Sequence, residues 1–260
     1  LKEHNVTRIH KVLSILASLS CLSLCAFGQT ADELVAKNIQ AHGGMDKIKA
    51  IKTLRMTGNF DAGGFKAAIG TESKRPDMLR QTFSVQGMTQ IQAYDGATGW
   101  QISPFGGKKD PELLGADDMR DLVEAADFDG PLVDAAAKGN KVEYLGHDQV
   151  DGDDALKLKV TLKNGDIYYY YFDPDTSLEI QIEKQVFIRG SVRERVTLLG
   201  SYKPVNGVMY PFSIESGSKN NPDGRGKVTI TKIEANVPME DKSFKMPSAP
   251  APAAVKTGAK

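Results

Sequence analysis

Few side chains in this sequence are spaced for covalent chemistry. Of the four histidines, His4 and His10 fall within the first 28 residues, and His42 and His147 stand far apart. No HExxH, GxSxG or phosphate-binding glycine loop occurs, so zinc protease, serine hydrolase and P-loop signatures are missing. Acidic residues gather at 148–154 and at Asp173-Pro174-Asp175. Neither group has the spacing of a calcium loop, and turn formation explains aspartates in such places. Both cysteines, Cys21 and Cys25, lie near the start, so the rest of the chain offers no disulfide and no thiolate. One cation stands in a suggestive setting: Arg75, in Lys74-Arg75-Pro76 beside a strand-like run. On these residues alone it is either a solvated strand-end arginine paired with a carboxylate or a five-donor fork bridging several acceptors. This chemistry holds things rather than breaks bonds. No catalytic residue, metal or cofactor is expected.

The ends of the chain suggest where it works. Lys2, Arg8 and Lys11 form a basic start, residues 12–24 are a short apolar run, and Ala26-Phe27-Gly28 supplies small residues before Gln29. This is the pattern of a signal peptide over 1–28, too short to span a bilayer comfortably. Neither cysteine fits a lipid-attachment motif well: bulky Leu24 precedes Cys25, and Ser18 stands three before Cys21 where an aliphatic residue is wanted. A secreted periplasmic product is therefore expected. The full chain has 33 basic and 33 acidic side chains. Residues 1–28 hold three of the basic ones and one acidic (Glu3), so the remainder is slightly acidic and unsuited to nucleic acid. Residues 29–246 suit one β-rich domain, and the Pro/Ala-rich segment 247–260 reads as disordered.

The elements that must position any site follow from periodicity. Thr30-Ala31-Asp32-Glu33 is a capping box opening a helix with an apolar stripe of Ala31, Leu34, Val35, Ile39 and Ala41, which Gly43-Gly44 ends. The period then changes from 3.6 to 2, predicting strands at about 53–60, 64–74, 78–86, 88–95 and 99–103. Met119, Leu122, Val123 and Ala126 define a helix opened by Asp117-Asp118, and Pro131 opens a further expected helix ending at Gly139. From Lys141 the alternation returns, with Asn164-Gly165 and Asn206-Gly207 as two-residue hairpin turns. One-sided alternation means a sheet with one apolar and one wet face. Roughly eight or more antiparallel strands should curl. The expected fold is mainly β with some α: a curved antiparallel sheet, an incomplete β-barrel, with an N-terminal helix and a central helical lid over an apolar cavity.

Several segments resemble the LolA-like family of periplasmic lipoprotein carriers, which includes LolB and related mycobacterial lipid-binding proteins. They are Lys74-Arg75-Pro76-Asp77-Met78-Leu79, Asp95-Gly96-Ala97-Thr98-Gly99-Trp100 and Pro104-Phe105, in family order and at similar spacing. Tyr171-Phe172-Asp173-Pro174 and Phe244-Lys245-Met246-Pro247 are similar too, so the resemblance covers most of 30–247. It implies a half-barrel with an α-helical lid and a cavity for the acyl chains of lipoproteins. In the family the arginine of Lys-Arg-Pro holds the lid closed by hydrogen bonds to its backbone, and Arg75 matches it. Leu79 stands where the carriers have a phenylalanine implicated in handling cargo or partner.

The cavity and cargo candidates are Met78, Leu79, Met88, Trp100, Phe105, Leu122 and Leu132. Met78, Leu79, Met88, Trp100 and Phe105 read equally as core, though flexible thioethers conform well to irregular cargo. The run Tyr168-Tyr169-Tyr170-Tyr171-Phe172 gives aromatics to both faces of one strand, as structural filling rather than a carbohydrate platform. The expected function is carriage, by a monomer, of an acylated lipoprotein or lipid between an inner-membrane donor complex and an outer-membrane acceptor. The alternative is an envelope sensor or scaffold of the same fold that binds lipid or protein segments.

Overall fold

The computed structural model describes residues 29–188 and 191–248. The expected signal peptide and most of the expected disordered tail lie outside them. The unit beginning at Ala31 opens with helices α1 (Ala31–Ala41) and α2 (Met45–Ala50). A meander follows: β1 (Thr53–Ala62), β2 (Phe65–Lys74), β3 (Met78–Val85), β4 (Met88–Tyr94), β5 (Gly99–Ser103) and β6 (Lys108–Leu113). Helix α3 (Ala116–Ala126) leads through a run of turns to β7 (Lys141–Val150), β8 (Asp153–Thr161), β9 (Ile167–Phe172), β10 (Glu179–Ile188) and β11 (Ser191–Gly200). The small hairpin β12 (Lys203–Val205) and β13 (Val208–Tyr210) precedes β14 (Ser213–Ser218) and β15 (Gly226–Ala235).

Thirteen of these strands form one antiparallel sheet in the order β6-β5-β4-β3-β2-β1-β15-β14-β11-β10-β9-β8-β7. The sheet is strongly curved but β6 and β7 do not meet, so it stays an open half-barrel. Alternation decides which side chains face inward. Tyr168, Tyr170 and Phe172 pack with Leu156, Leu158, Val160 and Leu34 of α1, whereas Tyr169 and Tyr171 face the other side against Val150 and Ala155. The tyrosine run thus supplies two layers.

Helix α3 lies across the inner side and ties the two halves together. Leu122 and Ala126 pack on Leu79 and Tyr94 of β3 and β4, and Met119 sits against Gly99. On its other flank Arg120 forms a bidentate pair with buried Asp166, and Glu124 pairs with Lys184 of β10 at 2.5 Å. After β15 the chain straps back over the β1–β5 half. Thr53 donates to Val237 O, Lys74 to Met239 O and Asp241, and Trp100 Nε1 to the carbonyl of fully buried Phe244 at 2.7 Å.

Three local expectations are corrected. Residues 131–139 are a succession of turns, not a helix. Asp134 adopts φ +56°, a left-handed conformation that breaks a right-handed helix, while its carboxylate reaches Lys49 at 2.7 Å. At Asn164-Gly165 the turn has three residues: Leu162 N donates to Asp166 O, and left-handed Gly165 closes the loop. Strand β6 was not anticipated, because Pro111 and its charged neighbours hide it; an edge strand tolerates that proline. Asn206-Gly207 is the two-residue turn expected, with both residues at positive φ and Val205 paired to Val208.

Candidate functional site

A cavity of about 410 Å³ lies between the helices and the inner face of the second half of the sheet. That is the scale of a small-molecule site rather than of a packing defect. Its floor is Tyr168 and Tyr170 of β9, Ile182 and Lys184 of β10, and Leu199 of β11, with Ile182 paired to Tyr170 and Lys184 to Tyr168 across the strands. Ile39, Ile48, Val208 and Pro211 line its sides, and Phe128, Leu132 and Val133 of the segment after α3 form its roof. Most of this lining is apolar. A second hollow, about 750 Å³, lies along the other flank of α3 and shares Glu124, Asp127 and Pro131 with the first.

The polar groups in the wall are tied to one another. His42 Nε2 lies 2.7 Å from Glu179 Oε2, and its Nδ1 lies 2.8 Å from the Met209 carbonyl. Both partners are acceptors, so the ring satisfies them only as an imidazolium carrying two protons. Burial pulls the His42 pKa down, but the Glu179 hydrogen bond and charge, with the Met209 carbonyl, outweigh it and leave the pKa raised. Burial pushes Glu179 up, and His42 overcomes it so that the carboxyl titrates below its usual range. Tyr202 donates to Glu179 O at 2.8 Å; burial, then the Glu179 charge, push its phenol well above the usual range. Asn38 donates to Ser177 O at 2.9 Å. With both nitrogens engaged, His42 has no lone pair free for general-base work. Gly43 explains how α1 comes so close: a Cβ there would sit 2.1 Å from Gly207 O, and φ is +116°.

The roof is held from outside the cavity by charge. Arg75 sends two guanidinium nitrogens to Asp129, at 2.7 and 2.5 Å, and donates to Ile51 O at 2.7 Å and Ile48 O at 3.0 Å. Its carbon centre lies 4.5 Å from the centroid of Phe128. Lys49 adds contacts to Asp129 and Asp134 at 2.5 and 2.7 Å. Burial would raise Asp129, but Arg75 and Lys49 bring it below its usual range. Lys138, bonded to Asp127 and Gly130 O, stiffens the roof from within. The arginine therefore clasps the carbonyl end of α2 through its backbone and the roof through a side chain.

Of the candidates named from sequence, Leu132 lines the cavity. Leu79 and Leu122 are buried together in the cluster under α3. Trp100 is 2% exposed and holds the C-terminal strap. Met78 is half-buried at the start of β3. Met88 and Phe105 are exposed, Phe105 edge-on to Phe83 at 6.5 Å. None of these six lines the cavity. The sequence reading missed His42, Glu179, Lys184 and Asp129 as site residues. Tyr168 was visible only as part of the aromatic run. His147 pairs with Asp154 on an exposed hairpin, and no metal-holding group of histidine and carboxylates occurs among the described residues.

Comparison with family models gave no match, and comparison with curated proteins gave no significant one. Solved structures do match. A DUF1329 family protein from Desulfovibrio piger aligns with TM-score 0.58 at 14% identity, over 84% of this chain and 98% of that one. A LolA superfamily protein from Nitrosomonas europaea aligns with TM-score 0.57 at 12% identity, over the same shares. At these identities the likeness is one of fold, and the fold of this chain is the curved open sheet with covering helices found in the LolA superfamily and DUF1329 structures.

Proposed function

We propose that the protein is a periplasmic, non-enzymatic carrier that shelters the acyl part of a lipid or lipoprotein and hands it on toward the outer membrane. The observation that carries this reading is an apolar cavity whose roof is fastened by charged side chains at its rim, chiefly Arg75 and Lys49 on Asp129. Burying acyl chain gains about 0.8 kcal/mol per CH₂ over water. A membrane offers nearly the same, so transfer is close to neutral and a few kcal/mol in a roof can set its direction. A charged clasp suits this, because it holds the roof without filling the space beneath. The signal-peptide pattern of residues 1–28 supports the location. The LolA superfamily fold supports carriage only by analogy.

The test is transfer. The purified protein should accelerate movement of a fluorescent acyl lipid from donor to acceptor vesicles, and Arg75→Leu should change that rate while retaining the fold. No binding and no acceleration would contradict carriage. A tightly bound protein segment without lipid would point to a sensor instead.

A further inference from the structure

We infer that the hairpin end of the β1–β6 meander is a membrane-docking rim, whose apolar tips sink into the interface of a lipid bilayer. This goes beyond carriage and stands on residues outside the cavity. The connections β1–β2, β3–β4 and β5–β6 all lie at one end of their antiparallel strands. Each carries one large exposed apolar side chain: Phe65 is 50% exposed, Met88 42% and Phe105 41%. These are three of the nine exposed large apolar residues among the described ones, gathered on three neighbouring turns. Phe83 joins them into one surface. Its ring stacks on Phe65 at 6.2 Å and meets Phe60 and Phe105 edge-on at 5.6 and 6.5 Å. A connected, exposed apolar patch marks a contact surface.

The charge and shape of the tips select lipid as the occupant. Residues 62–65, 85–88 and 103–107 contain no charged side chain. The nearest charges are paired, Lys66 with Asp61 at 3.8 Å and Lys108 with Glu112 at 2.8 Å. The attraction is therefore apolar, and it asks for the boundary of the acyl chains rather than for anionic headgroups. A Cβ at Gly63, Gly64, Gly87, Gly106 or Gly107 would meet nothing within 4 Å, so the turns project freely. A fluid interface accepts separate projecting points, whereas a folded partner would need a surface shaped to all three. Phe83 and Leu79 point to the same side of β3, the inner side on which α3 packs. Docking would thus set the open end of that inner face against the bilayer.

The test is flotation with phosphatidylcholine vesicles. The wild type should float with them in low and in high salt, because the contact is apolar. Phe65→Ser combined with Phe105→Ser should cut binding at least about tenfold, with Tm and uptake of a dissolved acyl probe unchanged. Phe65→Trp locates the contact. Its new indole should be quenched by brominated lipid, most strongly by bromines near the headgroups, whereas the wild type, whose only tryptophan is buried Trp100, should not be quenched. Flotation kept by the double variant, flotation lost in high salt, or an indole at position 65 left bright by brominated lipid would overturn the docking rim. So would a wild type that fails to float, or one that forms a dimer which the double variant dissolves. A wild type that floats yet takes up no acyl probe would overturn the carrier reading and leave this inference standing.

Discussion

Replacing Arg75 with leucine should loosen the roof more than the fold. Arg75 is 18% exposed in its side chain and Asp129 7%, so the pair is largely shielded from water. Removing one partner of a buried pair costs about 3–5 kcal/mol when the other charge is stranded. Asp129 is not stranded, because Lys49 stays at 2.5 Å. Ile48 O and Ile51 O also lose a donor, at the end of α2, where Ile51 is 1% exposed. A cost of about 2–3 kcal/mol is therefore expected, concentrated in residues 127–133 and the last turn of α2. That corresponds to a roughly 30- to 150-fold larger open population. Hydrogen exchange resolved by peptide reads it directly: protection over 127–139 should fall by this factor while β8–β10 keep theirs. Arg75→Leu combined with Asp129→Asn should cost less than the two changes added, because each removes the same contact. Uniform loss of protection across the sheet, or none at the roof, would refute the clasp.

Other outcomes follow from the same contacts. The lowered pKa of Asp129 means its pairing contributes stability above its ordinary value and loses it as pH falls through the lowered one; the raised pKa of His42 means the opposite, with stability present below its ordinary value and lost as pH rises through the raised one. Tm should therefore hold a plateau from about pH 4 to 6.5 and fall on both sides; a steady rise from neutral to alkaline pH would contradict the doubly protonated His42. Trp100→Phe should cost about 2 kcal/mol in urea unfolding, because Phe244 O loses its donor in a buried place, and unchanged stability would mean the strap is held elsewhere. Gly43→Ala should cost at least about 2 kcal/mol, given its left-handed φ and the clash with Gly207 O. Met88→Ser, at an exposed position outside the cavity, should alter Tm and acyl binding very little.

The meander was readable because its signal is local. Alternation over 53–103 marks each strand, and β1 to β5 begin and end close to where the apolar pattern changes. Curvature followed from the number of strands and the shortage of helix. The roof was not readable. Its residues Pro131, Ala135, Ala136 and Ala137 have helical habits, but the position of Asp134 answers to Lys49, a side chain distant in sequence. The His42–Glu179 pair was hidden for the same reason: only the folded, curved sheet brings β10 under the end of α1. Arg75 stood out through its motif, while its main partner Asp129 carried no mark of its own. Met78, Leu79, Met88, Trp100 and Phe105 were named because they surround that motif, yet the sheet turns Leu79 toward the α3 cluster, Trp100 toward the strap, and Met88 and Phe105 toward solvent.

Native mass spectrometry of the protein isolated from the envelope, followed by organic extraction, tests the central claim most directly. The account predicts a co-purifying acylated molecule, lost on extraction, bound in a population that falls when Ile182 and Leu199 on the cavity floor are replaced by larger side chains. Protein that emerges with no acyl ligand, and that takes none up from vesicles afterwards, would contradict it.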